Sequence, residues 1–292
     1  MSTPLRSKWA LLARVVFSLI TNVTAHSQNE SWTEPFPAHR IAGNLYYVGS
    51  RDLASYLITT PEGHILINSS LQESVPLIEA SVESLGFKFT DIRILLISHA
   101  HSDHCAGSAA ILYATKARHY VMAEDADAVE NGGQRTSRSG ASYLQFPPAK
   151  VDRRLKDGEE IRLGSNVLIA KRTGGHTKGC TTWCLEVEEN GRSLRAVIIG
   201  SPNVNPGYVL VNNAGYPQIA ADYQQTFQTL KSLPVDLFLG AHGGYYDLTR
   251  KHARLKQSSS NPFIDPEGYL AYVAEREQTF LAELERQKAQ SR

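Results

Sequence analysis

The sequence is poor in cysteine and has almost no net charge. Three cysteines in 292 residues are too few for a framework of disulfide bonds, which excludes the small disulfide-rich secreted folds. Thirty lysines and arginines against 29 aspartates and glutamates leave a formal charge of +1. No overall field therefore attracts nucleic acid, and we expect no nucleic-acid partner. A Walker-type glycine-rich phosphate loop is also missing from the sequence.

Acidic residues are absent from the first 29 positions, which carry three basic residues and an apolar stretch over 9–20. A basic start, an apolar middle and small residues up to Ala25 are typical of a secretory signal peptide. We therefore expect a signal peptide over 1–25 and a mature protein over 26–292. Arg14 interrupts the apolar stretch, so an uncleaved, partly helical tail is the alternative. No other stretch reaches the ~18 apolar residues of a membrane span, and no membrane partner is expected after cleavage.

Strand and helix patterns run through the chain in two halves of similar composition. Short apolar runs bounded by glycine or proline predict strands, and apolar residues at helical spacing predict helices. Predicted strands cover 44–49, 54–59, 64–68, 93–98, 120–122, 152–155, 160–163, 166–173, 181–188, 194–200 and 235–239, and predicted helices cover 75–85, 106–117, 124–130, 218–232 and 266–288. Strands followed by helices occur twice without a dividing linker. This order favours one α/β domain with two mixed β-sheets packed face to face and helices on the outside.

Four potential metal ligands occupy six consecutive positions at the end of the predicted strand over 93–98. They are His99, His101, Asp103 and His104. His99 and His101 are two apart on extended backbone and therefore project to the same side. His176 and His242 each follow a later predicted strand and are embedded in glycines, which allow tight turns and a close approach of the backbone.

Five imidazoles and one carboxylate are the ligands that two zinc ions require. Single histidines are usually packed core or surface residues, but folding alone gives no reason to crowd four such groups at one strand end. Six ligands for two ions leave coordination positions free, which is typical of a catalytic site. A hydroxide between two zinc ions is a nucleophile at neutral pH because the metals lower its pKa. The sequence therefore predicts a hydrolase with two zinc ions per chain.

The His-x-His-x-Asp-His run, the later Gly-His and the last strand-end histidine resemble the metallo-β-lactamase superfamily, whose fold is an αβ/βα sandwich. The resemblance runs from about residue 36 to about residue 255. The chain is most similar to class B, subclass 3 metallo-β-lactamases, which are periplasmic dizinc enzymes that open the β-lactam amide. This implies a β-lactam substrate, a role in antibiotic resistance and a periplasmic location. It also implies a first zinc on His99, His101 and His176 and a second zinc on Asp103, His104 and His242.

The residue after the predicted strand over 194–200 distinguishes subclass 3 from its relatives. Glyoxalase II, lactonases and RNA-processing nucleases of the superfamily usually place a metal-bridging Asp there, and β-lactamase subclasses 1 and 2 place a Cys, whereas this chain has Ser201. The resemblance implies that Ser201 and the adjoining Asn205 bind the substrate, with Ser201 on its carboxylate. It implies further that Tyr208 faces the carbonyl oxygen and stabilises the oxyanion, although ordinary packing is the alternative. Asp103 is expected to act in catalysis mainly as a ligand that orients the nucleophile, and a protonated Asp103 acting as general acid is the alternative.

Some features depart from the family or leave alternatives open. Asn68 stands where many members carry Asp, which removes a charge near the metal site. A lactonase or thioester hydrolase on the same dizinc fold, a nuclease, and a zinc-binding protein without turnover are the other candidate functions. The helix predicted over 266–288 is expected to pack on its own domain, so we expect a monomer. The loop over 131–149 is expected to flank the substrate, Phe146 included.

Overall fold

The computed structural model describes residues 30–133, 145–258 and 260–291. The strands within these ranges form two sheets. The first sheet has seven strands, which lie side by side in chain order: β1 (His39–Ala42), β2 (Leu45–Tyr47), β3 (Tyr56–Thr60), β4 (Gly63–Ile67), β5 (Ile92–Leu96), β6 (Arg118–Met122) and β7 (Arg153–Leu155). Neighbouring strands are antiparallel from β1 to β4 and parallel from β4 to β7, so the sheet is mixed.

The second sheet has five strands in the spatial order β12-β11-β10-β9-β8. They are β8 (Glu159–Leu163), β9 (Asn166–Arg172), β10 (Thr181–Glu189), β11 (Arg192–Ile199) and β12 (Leu237–Gly240). β12 runs parallel to β11, and the other neighbours are antiparallel. The α-helices in the described part of the chain are α1 (Val75–Ser84), α2 (Ser102–Cys105), α3 (Ser108–Thr115), α4 (Ala123–Glu130), α5 (Ile219–Ser232), α6 (Leu248–Arg254) and α7 (Pro266–Gln290).

Side-chain alternation along β4 explains how the first sheet is buried on both faces. Ile65 and Ile67 belong to the core that also contains Leu168 of the second sheet. Leu66, between them in the sequence, packs on the opposite face with Ile78 of α1. Because both faces are covered, the strand is a continuous apolar run rather than an alternating one. The core therefore lies between the sheets, with a second apolar layer under the helices.

Helices α5 and α7 pack on the second sheet. Phe227 of α5 and Phe280 of α7 have ring centroids 5.7 Å apart, and both belong to the main core. The hydroxyl of Tyr269, near the start of α7, donates a hydrogen bond to the carbonyl of Leu230 at 2.8 Å. The last helix therefore packs against its own chain.

The predicted fold class is confirmed: two mixed sheets pack together and helices cover them. The helix predicted over 106–117 is shorter, since α3 begins at Ser108 and ends at Thr115, before Lys116 with its left-handed φ of +59°. The strand β1 and the helices α2 and α6 were not predicted. The predicted signal peptide and most of the loop over 131–149 lie outside the described residues. Phe146, which was expected to flank the substrate, is instead 5% exposed and packs with the apolar side of α4.

The described residues show no disulfide and no helix suited to a bilayer. All three cysteines are free thiols, which agrees with the exclusion of a disulfide framework. Among the described helices, none is both long enough and apolar enough to cross a membrane.

The ends of β5, β9, β11 and β12 meet at one edge of the sandwich. The backbone N–H of Thr181 donates to the carbonyl of Ser98 at 2.7 Å, and the N–H of Ala54 donates to the carbonyl of Ala241 at 3.1 Å. Each of these bonds joins a segment of the first sheet to a segment of the second. The predicted ligands follow these strand ends, so the fold brings them to the same place.

Candidate metal centre

The first four predicted ligands lie where the chain passes from β5 into helix α2. His101 has an extended backbone, with φ −103° and ψ 152°. The N–H of His104 then donates to the carbonyl of His101 at 3.0 Å, which closes the first helical turn. A change from extended to helical backbone within six residues thus gathers His99, His101, Asp103 and His104 at one point.

His176 is positioned by a glycine turn and by a hydrogen bond to its ring. Gly175 has φ +122°, and a Cβ at this position would lie 2.6 Å from Cγ of Tyr223. Only glycine fits such a conformation and such a contact. Nδ1 of His176 donates to the carbonyl of Asn203 at 2.8 Å. In this tautomer Nε2 carries the lone pair that a metal requires.

His242 is held by a carboxylate. Its Nδ1 lies 2.9 Å from Oδ2 of Asp52, and Oδ1 of Asp52 accepts the backbone N–H of Gly244 at 3.0 Å. The backbone carbonyl of Asp52 accepts a third bond, from the N–H of Gly243 at 2.6 Å. A carboxylate on one ring nitrogen of a histidine orients the other nitrogen and makes it a better metal ligand.

The structure brings all six predicted ligands together. The nitrogen atoms of His99, His101 and His176 all lie within 4.8 Å of one another, and the same limit holds for His99, Asp103 and His104. His242 joins the second group, since its Nε2 lies 3.4 Å from Oδ2 of Asp103. His99 therefore stands between two adjacent groups of ligand atoms.

The chemistry of this cluster fits a metal ion. Within the described residues, the buried atoms Nε2 of His99 and Nδ1 of His104 have no hydrogen-bond partner. Leaving a buried polar atom unsatisfied costs about 1–3 kcal/mol unless a ligand satisfies it. Imidazole nitrogen and carboxylate oxygen are the ligand types that zinc prefers. The cluster is therefore a histidine-rich metal-binding site.

Burial keeps most of the imidazoles neutral. Desolvation, together with the neighbouring histidines, holds the pKa of His99 and of His101 well below its usual range. Desolvation lowers the pKa of His176 to about 4, against the hydrogen bond to Asn203. A neutral imidazole is the form that binds a metal. At neutral pH these three side chains therefore need to lose no proton before binding.

Asp103 and Asp52 make the part of the cluster around His242 charged, unlike the neutral group formed by His99, His101 and His176. Burial opposes ionisation of Asp103, but the charges and hydrogen bonds of His104 and His242 hold its pKa well below its usual range. Burial disfavours a charged His242, yet its hydrogen bonds to Asp103 and Asp52 raise its pKa to about 9. Asp103 is therefore a carboxylate, available as a ligand and as a hydrogen-bond acceptor.

Two of the three predicted substrate contacts, Ser201 and Tyr208, lie near predicted ligands. Oγ of Ser201 is 3.2 Å from the hydroxyl of Tyr245, whose ring centroid is 5.1 Å from that of His242. Asn205 is exposed in the segment that leads to Tyr208. Tyr208 is buried, and its hydroxyl donates to the carbonyl of His176 at 2.8 Å. The roles of Ser201, Asn205 and Tyr208 toward a substrate stay predictions.

Asn68 has a structural explanation. It is fully buried with φ +66°, its Nδ2 donates to the carbonyl of Ala54 at 3.0 Å, and its Oδ1 accepts the N–H of Ser98 at 2.7 Å. An aspartate accepts but does not donate when ionised, so it would oppose the carbonyl of Ala54. The amide therefore matches both of its partners here.

Sequence reasoning missed Asp52, Asn203 and Tyr245. Asp52 is 190 residues from the histidine that it contacts, and Asn203 is 27 residues from His176. Asn203 acts through its backbone carbonyl, which any residue type could supply. Tyr245, three residues after His242, is the one that proximity to a predicted ligand could have indicated.

A family model described as the metallo-beta-lactamase superfamily matches residues 51–242, a range that contains all six predicted ligands. The chain belongs to this superfamily. The metallo-β-lactamase fold accounts for the two sheets, the covering helices and the strand ends that carry the histidines.

Solved metallo-β-lactamases align over most of the chain. The native FEZ-1 metallo-beta-lactamase from Legionella gormanii is 50% identical, covers 88% of this chain and 98% of its own, and superposes with a TM-score of 0.85. The class B3 di-zinc metallo-beta-lactamase LRA-12 from an Alaskan soil metagenome is 34% identical, with 88% and 97% coverage and a TM-score of 0.83. The predicted similarity to subclass 3 is confirmed.

A curated relative matches a smaller part of the chain. The hydroxyacylglutathione hydrolase of Rhodopseudomonas palustris (strain BisB5) is 30% identical over 126 residues, which are 43% of this chain. The chain spans 40% of the length of that protein.

Proposed function

We propose that this metallo-β-lactamase is a zinc-dependent hydrolase that opens the β-lactam ring of penicillins, cephalosporins and carbapenems and so confers antibiotic resistance. One observation carries the proposal. Five imidazoles and one carboxylate converge at one edge of the fold. Over 88% of its length, the chain is 50% identical in sequence to a protein named a metallo-beta-lactamase.

Two zinc ions per chain match the donor set. His99, His101 and His176 would hold the first ion, and Asp103, His104 and His242 would hold the second. When bound, zinc would supply a water that is nucleophilic at neutral pH and a Lewis acid for the lactam carbonyl. The two groups of ligand atoms are adjacent, since His99 lies within 4.8 Å of the ligand atoms of both. This closeness supports two ions that act on one substrate.

The side chain of Asp103 is suited to accept hydrogen bonds and not to donate a proton. Its pKa lies well below the usual range because His104 and His242 surround it with hydrogen bonds and charge. An ionised carboxylate accepts hydrogen bonds only. We infer that Asp103 is a ligand that orients the attacking water, and that the proton for the leaving nitrogen comes from another source.

Substrate contacts are proposed for three further residues. The hydroxyl pair formed by Ser201 and Tyr245 lies on the side of His242 and would bind the substrate carboxylate, with Asn205 at the exposed rim. Tyr208 would stabilise the oxyanion. For that role its hydroxyl has to exchange the carbonyl of His176 for the substrate oxygen, because it donates to that carbonyl at 2.8 Å.

Thioester hydrolysis is the second candidate, since 126 residues align with a hydroxyacylglutathione hydrolase. That match covers less than half of either protein, whereas the solved β-lactamases align almost completely. Ser201 also stands where such relatives usually carry a metal-bridging aspartate. The β-lactam is therefore the favoured substrate.

Hydrolysis of a carbapenem by the purified protein, with and without a zinc chelator, tests the proposed function. We expect turnover that the chelator abolishes and added zinc restores. His101→Ala should lose turnover, while His252→Ala, which changes a histidine outside the cluster, should keep it. Protein shown to carry zinc that opens no β-lactam would contradict the proposal, and hydrolysis of a hydroxyacylglutathione by that protein would support the thioester alternative.

Location and processing are proposals of the same kind. We propose that the mature protein is a single domain over 26–292 and a monomer in the periplasm. Cleavage near Ala25 agrees with the composition of the first 29 residues, and the packing of α7 on its own chain agrees with a monomer. N-terminal sequencing and light scattering of the protein recovered from the periplasm test them. An intact N-terminus, a cytoplasmic location or a dimer mass would each contradict the corresponding proposal.

A further inference from the structure

Asp125, in the first turn of α4, is a buried carboxylate that the chemistry above does not use. It is 1% exposed. Its Oδ2 accepts the backbone N–H of Ala100 at 3.0 Å and the hydroxyl of Thr177 at 2.6 Å. Its Oδ1 accepts the backbone N–H of Gly179 at 2.8 Å. One carboxylate thus binds two loops that are far apart in the sequence.

Both of these loops carry predicted ligands. Ala100 lies between His99 and His101 after β5 of the first sheet, and Thr177 follows His176 after β9 of the second. The ring centroids of these three histidines are 4.6–4.8 Å apart. The carboxylate therefore connects the two sheets directly behind the first group of ligands.

The hydrogen bonds require a carboxylate rather than another polar side chain. Burial raises the pKa of Asp125, and its three donors oppose that shift. Removing a carboxylate from water is costly unless hydrogen bonds replace those of water. An ionised carboxylate has two acceptor oxygens and no donor, which suits three donors. An asparagine would turn an N–H group toward at least one of them.

The packing around Asp125 holds it in place. A Cβ on Gly179 would lie 2.6 Å from the backbone nitrogen of Asp125 and 2.8 Å from its Cγ, so the loop after β9 approaches α4 as closely as glycine allows. Helix α4 is itself anchored, since Ala126 and Val129 are buried in a cluster with Ile97 at the end of β5. Asp125 therefore has little freedom to follow a loop that moves.

We propose that Asp125 is a positioning residue that sets the distance between His176 and the His99–His101 pair, and thereby the metal affinity of this group. The inference rests on the proposed zinc site. The hydrogen bonds of Asp125 described above join it to Ala100, Thr177 and Gly179, so it acts through the loops and not on a ligand ring directly. Loss of its acceptors lets the loops separate, and the three nitrogens then no longer present the spacing that one metal ion requires.

Four variants test the proposal in the full-length protein. Asp125→Asn keeps the shape and removes one acceptor. Thr177→Val removes one donor, and Thr177→Ser restores it. Asp152→Asn is the control, because Asp152 also accepts a backbone N–H, that of His119, at 3.0 Å. Its hydrogen bonds within the described residues involve Lys150 and His119 and no loop that carries a predicted ligand.

Zinc affinity is measured by competition with a chromophoric chelator, and the geometry of the site is measured from the visible absorption of the Co²⁺-loaded protein. We expect Asp125→Asn to weaken one zinc-binding step on the order of 10–100-fold and to change the Co²⁺ spectrum. Thr177→Val should weaken the same step by about tenfold, and Thr177→Ser should bind zinc like the wild type. The unfolding midpoint of each metal-free variant is recorded alongside.

The outcomes separate this inference from the proposed function. Wild-type protein that binds no zinc would overturn both. Wild-type protein that binds zinc, with Asp125→Asn and Thr177→Val binding it equally well, would overturn the positioning role alone. Equal losses of affinity in Asp152→Asn would also overturn it, since general destabilisation would then be the cause. If Asp125→Asn does not fold, the comparison of Thr177→Val with Thr177→Ser decides.

Discussion

Replacing Asp52 with alanine tests whether a single carboxylate determines the ligand quality of His242. The change removes the acceptor of Nδ1 of His242 at 2.9 Å and the acceptor of the Gly244 N–H at 3.0 Å. The backbone bond between the Asp52 carbonyl and Gly243 is kept. The loop after β12 should therefore remain in place, while the ring of His242 is free to rotate and to change its tautomer.

The expected loss of stability in Asp52→Ala depends on how exposed the side chains of Asp52 and His242 are. The side chains of Asp52 and His242 are 21% and 16% exposed, so water can replace part of each lost bond. Two hydrogen bonds at about 1 kcal/mol each give a loss of roughly 2 kcal/mol in the stability of the metal-free protein. Loss of a carboxylate behind a metal-ligating histidine typically costs 10–100-fold in metal affinity. We expect that loss in one of the two proposed binding steps.

Chelator competition, followed step by step, measures this effect, and Asp127→Ala is the control. Asp127 is a surface carboxylate whose side chain is 78% exposed and paired with Arg154, and such pairs contribute little. An Asp52→Ala protein that binds both equivalents of zinc as the wild type does would refute the role of Asp52. Equal weakening of both steps would refute the assignment of His242 to one group only.

Three further perturbations give outcomes that the structure predicts. Burial lowers the pKa of His119 from 6.5 to about 4, so the unfolded chain takes up a proton first as the pH falls below 6.5. The stability that neutral His119 contributes is present above pH 6.5 and falls by about 2 kcal/mol at pH 5. Other buried histidines lose stability over the same range in both proteins. Between pH 7.5 and 5.0, urea unfolding should therefore show a loss about 2 kcal/mol smaller in His119→Gln than in the wild type. Gly175→Ala should cost about 3 kcal/mol of stability, because of its φ of +122° and its contact with Tyr223. In thermal unfolding Gly191→Ala should cost less, since its φ is +75° and nothing lies within 4 Å. Tyr208→Phe should lower kcat on the order of 100-fold with little change in KM. An unchanged kcat would refute the role of Tyr208 in stabilising the oxyanion, and its hydroxyl would then have only the structural contact with the carbonyl of His176.

Most strands and helices could be predicted because their patterns are local. The strand over 93–98 and the helix over 75–85 carry their apolar residues at the spacing that their packing requires, and both are present. The turn α2, which contains Asp103 and His104, was not predicted as a helix because four residues give no periodicity. β1, with one exposed and two buried residues among its four, has too short a pattern to distinguish it from a loop.

Local sequence patterns could indicate the proposed ligands but not the residues that hold them in place. His99, His101, Asp103 and His104 are neighbours in the sequence, so their spacing alone predicted a site. Asp52 and Asp125 are single acids whose partners are 190 and at least 25 residues away. Nothing local distinguishes them from other aspartates, and only the folded chain brings them to the loops that they bind.

On the proposed ligand assignment, Asp52 and Asp125 each bind a glycine-rich loop that carries a single histidine. The loops after β9 and β12 have few side chains with which to fix themselves, since glycine contributes none and is conformationally free. Asp52 and Asp125 both belong to the first half of the chain, and they bind the loops of His242 and His176 respectively, both in the second half. The first half thus supplies the fixed acceptors and the second half the loops that fit against them. If the proposed assignment is correct, metal affinity depends on how the two halves pack together. Variants that loosen the contact between the sheets should then weaken zinc binding even where every proposed ligand is intact.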